Sequence, residues 1–131
     1  VEVSRGKARI GEIEFEVVDT PGMYSFLPIT EEERIARKII LDENPTIILH
    51  IVDAKNLERM IPLTFQLLEA GLPAILVLNI MDEAEKLGIK INSKILEKEL
   101  GIPVIETVST TGRGIDILKG RIEEYARKKF I

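Results

Sequence analysis

The feature that most constrains the fold is a pair of continuously apolar runs, TIILHIVD (46–53) and PAILVLNI (73–80). Strands that helices cover on both faces have this composition, whereas half-exposed strands alternate between apolar and polar residues. A shorter run of the same kind, IPVIETVS (102–109), follows them. Segments with helical spacing separate the three runs, and this order predicts an α/β fold with a mostly parallel sheet.

An alternating segment precedes these runs. In EIEFEVVD (12–19), Ile13, Phe15 and Val17 face one way and the glutamates face the other, which predicts a half-exposed strand. Residues 1–10 form another predicted strand, and a tight turn near Gly11 joins the two as an antiparallel hairpin. The predicted fold therefore has one antiparallel hairpin beside its parallel strands, with helices flanking the sheet.

Capping residues and apolar spacing predict four helices. Thr30 and Glu33 form a capping box at the start of the first, and Asn44 and Pro45 end it. The other predicted helices span 62–71, starting at Pro62 with Phe65 and Leu68 inward, then 93–101, and a last segment with Ile115, Leu118, Ile122 and Tyr125 on one face.

Composition excludes several classes of protein. A length of 131 residues suffices for one domain, and an apolar fraction of 45% excludes a disordered chain. The net charge of −4 disfavours a nucleic-acid-binding protein, which usually has a basic face. The chain has no cysteine, so neither a disulfide framework nor a thiolate metal site is possible. No apolar run approaches the ~18 residues that cross a bilayer, and the interpretation is a cytosolic domain.

Four predicted strands end on polar residues, namely Asp19, Asp53, Asn79 and Ser109. Ligands of α/β sheets bind beyond the carboxyl ends of the strands, so this pattern indicates a binding edge. Asp19 begins DTPG (19–22), a D-x-x-G motif. The motif alone has two interpretations: a plain Pro-Gly turn, or a carboxylate and a backbone N–H that contact a metal-bound phosphate.

Two further motifs follow the D-x-x-G in order. NIMD (79–82) has the form N-x-x-D, and VSTTGRG (108–114) follows the last predicted strand. In this order, each at a strand end, the three resemble the third, fourth and fifth motifs of the Ras-like GTPases. Nearly the whole chain, including VVDTPGMYSF (17–26) and the run from residue 51 to residue 89, resembles the G domain of the ferrous iron transport protein B family.

The resemblance implies a site for the guanine base. Asp82 would accept hydrogen bonds from the guanine N1–H and 2-amino groups, which adenine does not offer in that arrangement. Asn79 would donate to the acceptor edge of the base and tie the loops together, and the backbone around Ser109 and Thr110 would donate to O6. A site built on such hydrogen bonds rejects ligands that lack the matching groups. The implied nucleotide-binding residues are Asn79, Ile80, Met81, Asp82, Val108, Ser109 and Thr110.

The resemblance also implies a phosphate side, made by Asp19, Thr20, Pro21 and Gly22. Asp19 would hold Mg²⁺ through a water, and the Gly22 N–H would meet the γ-phosphate, where a side chain would block close approach. The loop from Gly22 to about Glu32 would be the second switch, ordered by the triphosphate. The expected ligands are therefore GTP or GDP and Mg²⁺, and no catalytic residue is assigned.

The sequence departs from a complete GTPase. It contains no G-x-x-x-x-G-K-[ST] loop. Losing about six phosphate contacts at about 1.5–3 kcal/mol each exceeds the roughly 8 kcal/mol of micromolar binding, so these residues alone are not expected to bind GTP usefully. Met23 stands where Ras has a water-orienting glutamine, so slow hydrolysis is expected. Ile80 replaces the usual lysine and would cover the base by apolar contact.

Val1 already lies in a strand-like pattern, so the chain is expected to belong to a longer protein. The resemblance to these GTPases implies that the preceding segment would supply a strand between those ending at Asp19 and Asp53. Without it, both strand edges would present unpaired N–H and C=O groups and promote self-association. A monodisperse, cooperatively melting monomer of the 131 residues alone would contradict this expectation.

The remaining polar residues can be interpreted as structural or as functional. Asp53 fits a structural hydrogen bond or a receiver-type phosphoacceptor, although the acidic pair and the lysine of such sites are not in place. His50, alone in an apolar strand, is predicted to be a core or interface residue. The segment NLER (56–59) is predicted to form a local cap and ion pair.

The function implied by the resemblance is a GTP-binding domain at the cytoplasmic face of the cell membrane. It would hydrolyse Mg·GTP slowly and regulate Fe²⁺ uptake, with a downstream helical regulatory domain and a membrane channel of the same protein as partners. Two alternatives remain open, since a fold does not fix a function. One is another Ras-like GTPase, of the ribosome-assembly type, and the other is a catalytically dead interaction module of the same fold.

Overall fold

The structure, a computed structural model, describes residues 4–23 and 30–130. The predicted α/β fold is confirmed within this part of the chain; the predictions for residues 1–3 and for the switch segment 24–29 lie outside it. The elements are β1 (Ser4–Ile10), β2 (Ile13–Asp19), α1 (Glu31–Glu43), β3 (Ile48–Asp53), α2 (Leu57–Glu69), β4 (Ala74–Asn79), α3 (Met81–Lys86), α4 (Ser93–Leu100), β5 (Val104–Glu106) and α5 (Ile115–Phe130).

A parallel sheet of β3, β4 and β5, with β4 in the middle, carries the core. The residues 74–78 of β4 are all buried, which explains the uninterrupted apolar run. Asp53 pairs in register with Asn79, and Leu78 pairs with Glu106, so the carboxyl ends of the three strands lie at one edge. The register therefore collects the polar strand ends in one place.

The hairpin of β1 and β2 forms a second sheet, with Ile10 paired to Ile13 across the predicted turn at Gly11. Ile10 and Phe15 pack against the core cluster that includes Leu118 and Ile122 of α5. Among the described residues, β2 and β3 are not paired with each other. Their apolar side chains Val17, Leu49 and Ile51 are exposed, Ile51 to 56%.

The first helix forms as predicted. The Thr30 hydroxyl accepts a hydrogen bond from the Glu33 N–H, and the Glu33 carboxylate accepts one from the Thr30 N–H, both at 3.1 Å. Asn44, in the left-handed region with φ +47°, ends the helix. Ala36 of α1 packs with Leu63 and Leu67 of α2 in a core cluster on the sheet.

The prediction for the second helix is wrong at its start and for Phe65, whereas Leu68 packs against a core cluster as predicted. The Asp53 carboxylate accepts the Lys55 N–H at 3.0 Å and caps a 3₁₀ turn, which continues directly into α2 at Leu57. Pro62 consequently lies inside the helix, and Asn56 makes no capping side-chain hydrogen bond. The buried positions include Thr64 and Leu67, and Phe65 is 49% exposed rather than inward.

Other boundaries shift by smaller amounts. The third predicted helix corresponds to α4, whose N-cap is Asn92 and whose C-cap is Gly101 with φ +72°. The last predicted strand is shorter than expected, since β5 covers only Val104–Glu106. The short helix α3 was not predicted. No helix in the described part of the chain is long and apolar enough to cross a membrane.

His50 is buried on β3, as predicted, with its Nδ1 2.8 Å from the hydroxyl oxygen of the buried Thr64. Its Nε2 is buried and has no hydrogen-bond partner among the residues that the structure describes. Burial lowers the pKa of His50 from 6.5 to about 4, because the charged imidazolium loses its hydration. The folded protein therefore holds this histidine neutral at pH 5–6.

We expect this histidine to make stability fall at acid pH. The unfolded chain takes up the proton below about pH 6.5, but the folded chain does so only near pH 4, so stabilisation present at neutral pH is lost across that window. Between pH 7 and 4.5 the contribution is about 2–3 kcal/mol. Urea denaturation of the wild type and His50→Gln at both pH values measures it. Both proteins have the same carboxylates, so any difference in their loss of stability comes from residue 50. An equal loss in the two proteins would contradict the lowered pKa of His50.

Candidate functional site

The turn between β4 and α3 carries four of the predicted nucleotide-binding residues, Asn79 to Asp82. Asn79 ends β4, and Ile80 has φ +59° and ψ +37°, a left-handed conformation that a β-branched residue rarely adopts. Such a conformation costs of order 1–3 kcal/mol and clusters at functional sites. Met81 is buried in the core, and its N–H donates to the Thr107 carbonyl at 3.2 Å. The strained turn thus places Asp82 in the first turn of α3, three residues after Asn79.

The Asn79 side chain joins this turn to the loop after β5. Its Oδ1 accepts hydrogen bonds from the Thr107 hydroxyl at 3.0 Å and from the Ser109 N–H at 3.1 Å. Its Nδ2 donates to the Ser109 hydroxyl at 3.1 Å. The predicted tie between the two loops is therefore made by three hydrogen bonds from one amide.

The loop after β5 is held in a defined path. Val108 and Arg113 form an isolated antiparallel bridge, with the Val108 N–H donating to the Arg113 carbonyl at 2.9 Å. Gly114 has φ +81°, and a Cβ there would lie 2.1 Å from the Glu106 carbonyl oxygen. The Ser109 N–H is taken by Asn79, whereas the Thr110 N–H donates to no group in the described part of the chain. Thr110 therefore offers a donor at the edge of this loop.

Asp82 carries an unpaired oxygen. Its Oδ1 is buried and makes no hydrogen bond within the described residues. A buried carboxylate oxygen without a donor is costly and rare in folded proteins. Asp82 as a whole is half-buried, so a turn of its carboxylate would bring this oxygen to the surface, where N–H groups of a ligand would remove the penalty.

The D-x-x-G segment lies at the end of β2. Asp19 is exposed, and Gly22 is exposed with no atom within 4 Å of the position that a Cβ would take. Met23 turns into the core beside Ala36 and Leu63. Within the described residues, no hydrogen bond joins 19–22 to the loops of Asn79 and Ser109. No group of three or more His, Cys, Asp or Glu side chains in the described part of the chain could hold a metal by itself.

Charge pairs flank α3 on two sides, and the sequence did not predict them. Lys55 Nζ lies 2.9 Å from Glu83 and 3.1 Å from Asp53, and these carboxylates raise the pKa of Lys55. Arg113 makes a bidentate pair with Glu85 at 2.8 and 2.9 Å, which lowers the pKa of that carboxyl. The Asp53 contacts fit its structural interpretation rather than a phosphoacceptor.

Thr107 was also missed, because it lies inside an apolar run that predicts only a strand. The sole sequence indication for Arg113 is its place between two glycines, GRG (112–114). Neither residue type nor spacing predicts its partner Glu85, which lies on a helix that the sequence did not indicate.

Comparisons with known proteins agree on one family. A family model described as ferrous iron transport protein B matches residues 1–122. The Fe(2+) transporter FeoB of Escherichia coli (strain K12) is 43% identical over 129 residues, which cover 95% of this chain and 17% of that protein. The chain thus spans about a sixth of the length of the curated relatives it matches.

Solved structures with the same fold include the FeoB G-domain from Methanococcus jannaschii, with 41% identity, a TM-score of 0.89 and coverage of 94% of this chain and 79% of that one. The cytosolic domain of the T. maritima FeoB iron transporter in a GDP form has 37% identity and a TM-score of 0.92, covering all of this chain and 52% of that one. An mGMPPNP-bound NFeoB from S. thermophilus has 36% identity and a TM-score of 0.88, covering 97% of this chain and 49% of that one. The fold of the chain is therefore Ras-like.

Proposed function

The chain belongs to the ferrous iron transport protein B family, and from this premise we propose that it is the guanine-nucleotide-binding part of an Fe²⁺ transporter. In this proposal the chain lies at the cytoplasmic face of the membrane. It binds Mg·GTP, hydrolyses it slowly, and couples nucleotide state to Fe²⁺ uptake through helical and membrane parts of the same protein. Related domains solved with GDP or with mGMPPNP support the ligand class.

The unpaired Asp82 oxygen is the observation that carries the proposal for the base. Guanine offers two adjacent donors, N1–H and the 2-amino group, to a carboxylate, whereas adenine offers no such pair. The Thr110 N–H is available to the guanine O6, because Asn79 already occupies the neighbouring Ser109 N–H. Ile80 lies between Asn79 and Asp82 and covers the base by apolar contact.

The phosphate side of the proposed site rests on Asp19 and Gly22. Mg²⁺ is usually held by one or two carboxylates together with substrate phosphates and waters, so a single aspartate at the end of β2 fits its chemistry. When bound, the ion would neutralise charge that develops on the phosphates. The Met23 side chain is buried in the core, so this residue does not orient a water, in keeping with slow hydrolysis.

The open edges of β2 and β3 support the same assignment. Val17, Leu49 and Ile51 are large apolar side chains that the described residues leave exposed. A strand inserted between β2 and β3 would cover them and satisfy the backbone groups of both edges. We propose that the longer protein supplies this strand and, with it, the remaining phosphate contacts.

Titration of the full-length protein with guanine and adenine nucleotides tests the proposed function. The expected result is micromolar or tighter binding of GDP, with ADP at least about 100-fold weaker, because two donors to Asp82 would be lost. Equal affinity for the two bases would exclude a guanine site. No binding of either nucleotide would favour an interaction module of the same fold.

Replacing Gly22 with alanine should weaken the binding of guanosine triphosphates and leave the binding of GDP unchanged. A methyl group at Gly22 meets no atom within 4 Å, so the melting temperature and GDP affinity should stay unchanged. A non-hydrolysable GTP analogue should bind about 10- to 100-fold more weakly, because one charge-assisted hydrogen bond to the γ-phosphate is lost. Isothermal titration of both nucleotides measures the effect. Gly120→Ala, an equally unobstructed change on α5, is the control, and equal weakening of GDP and the analogue would contradict the assignment.

A further inference from the structure

The two loops proposed to contact guanine belong to different parts of the chain. Asp82 lies on α3, which follows β4, whereas Ser109 and Thr110 follow β5. Both loops can contact the same base only if the distance between the two loops is fixed. Asn79 joins the loops at the end of the sheet, and the Arg113–Glu85 pair joins them a second time at the surface.

The helix α3 depends on outside contacts for its position. It has only six residues, and no side chain caps its N-terminus. A helix of this length has little stability by itself, because the entropy lost in forming the first turn exceeds the free energy gained from its few hydrogen bonds. Glu85 lies three residues after Asp82, so a contact at Glu85 also positions the turn that carries Asp82.

The backbone position of Arg113 is constrained by contacts other than the ion pair. Gly112 and Gly114, with φ of +83° and +81°, flank it, and its carbonyl is held by the Val108 N–H. Its Nη1 and Nη2 then donate to the two Glu85 oxygens at 2.8 and 2.9 Å. A bidentate fork of this kind fixes direction as well as distance, which a single contact from lysine does not.

We propose that Arg113 is a positioning residue for the nucleotide, which sets the rate at which guanine nucleotide leaves by holding the Ser109–Thr110 loop against α3 through Glu85. This inference rests on the proposed function. Neither side chain is among the residues assigned to the base or the phosphates, and the proposed effect passes through the separation of the two loops. Loss of the pair leaves Asn79 as the remaining side-chain tie between the loops in the described part of the chain, so their separation varies more and the contacts of the bound base weaken.

The expected size follows from the exposure of the pair. The side chains of Arg113 and Glu85 are 49% and 47% exposed, so the pair contributes little to overall stability. Exposed ion pairs contribute at most about 1 kcal/mol, which corresponds to about fivefold in a rate when the pair breaks in the rate-limiting step. Added salt screens such a pair, so release from the wild type should quicken with ionic strength.

The test is the dissociation rate of fluorescent GDP from the full-length protein after a chase with unlabelled GDP. We expect Arg113→Gln and Glu85→Gln each to speed release about three- to fivefold, with the double variant no faster than either single variant. Arg113→Lys should fall between the wild type and Arg113→Gln. The variants should also lose most of the salt dependence of release.

Arg121→Gln is the matched control. Arg121 makes the same bidentate geometry with Glu97, at 3.1 and 2.9 Å, but ties α5 to α4 away from the proposed site. Its loss should lower the melting temperature and leave GDP release unchanged. Release from Arg113→Gln at the wild-type rate, or single effects that multiply in the double variant, would overturn the inference.

A ligand-free measurement separates this inference from the proposed function. Hydrogen exchange at Thr111 and Gly112, whose N–H groups donate to the Val108 carbonyl, should quicken in nucleotide-free Arg113→Gln and not in Arg121→Gln. Failure of the wild type to bind any guanine nucleotide would refute the proposed function and, with it, the role in release. Unchanged exchange in a protein that does bind GDP would refute the positioning role alone.

Discussion

Asp82→Asn should weaken GDP binding to the full-length protein by about 10²–10⁴-fold. Both hydrogen bonds to the base, each of about 1.5–3 kcal/mol, lose their charged acceptor, and the NH2 group of asparagine faces the 2-amino group of guanine, donor against donor. The same change should raise the affinity for xanthosine diphosphate, since the amide of asparagine donates to the 2-carbonyl of xanthine. Competition titration with GDP and xanthosine diphosphate measures how the ratio of the two affinities changes.

The stability of the nucleotide-free protein gives this prediction a second readout. The Asp82 Oδ1 is buried without a donor, so neutralising the side chain should not lower the melting temperature. Asp116→Asn makes the same chemical change at an exposed carboxylate on α5 and should leave both affinities unaltered. Wild-type GDP affinity in Asp82→Asn would show that this carboxylate does not bind the base.

Asn79→Ala should damage both the fold and the site. It removes three hydrogen bonds and leaves the Thr107 hydroxyl, which is 1% exposed, without its acceptor. At about 1 kcal/mol for each bond, with an added penalty for a buried unpaired donor, the expected loss is about 2–4 kcal/mol of unfolding free energy. GDP binding should be undetectable at micromolar protein, because the Ser109–Thr110 loop is released from β4.

Ser109→Ala is the graded control for Asn79→Ala. It removes only the bond between Asn79 Nδ2 and the Ser109 hydroxyl and keeps the backbone bond of Ser109. Urea denaturation should place it within about 1 kcal/mol of the wild type. If Asn79→Ala is as stable as Ser109→Ala, the amide does not hold the two loops together.

The helices and strands that were predicted correctly are those in which the local sequence pattern and the tertiary packing favour the same structure. The apolar runs of β3 and β4 indicated strands because helices cover the sheet, and the buried residues 74–78 follow from that position. Thr30 and Glu33 predicted the start of α1, because a capping box satisfies two backbone donors with adjacent residues.

Predictions failed where a contact from elsewhere in the chain decided the outcome. Pro62 is a favourable first residue of a helix, but the turn capped by Asp53 begins α2 earlier. The position of the helix on the sheet then buried Thr64 and left Phe65 exposed. The helix α3 was missed because it is short, has no capping side chain, and follows a residue with positive φ that no sequence rule assigns to isoleucine.

The candidate site divides in the same way. The motifs predicted that Asn79 would tie loops at the strand ends, because parallel strands bring their carboxyl ends together. They did not predict which groups of Ser109 bond to Asn79, or that the Thr107 hydroxyl is buried against Asn79. Both contacts depend on the register between β4 and β5. The Arg113–Glu85 pair depends on a loop path set by two glycines, which spacing alone does not give.

The structure of the full-length protein with Mg·GDP bound would test the proposed site most directly. We expect the Asp82 carboxylate to accept hydrogen bonds from guanine N1–H and the 2-amino group, the Thr110 N–H to donate to O6, and Asp19 to face the magnesium. A guanine base bound elsewhere, with the buried Asp82 oxygen still lacking a donor, would contradict the proposed site.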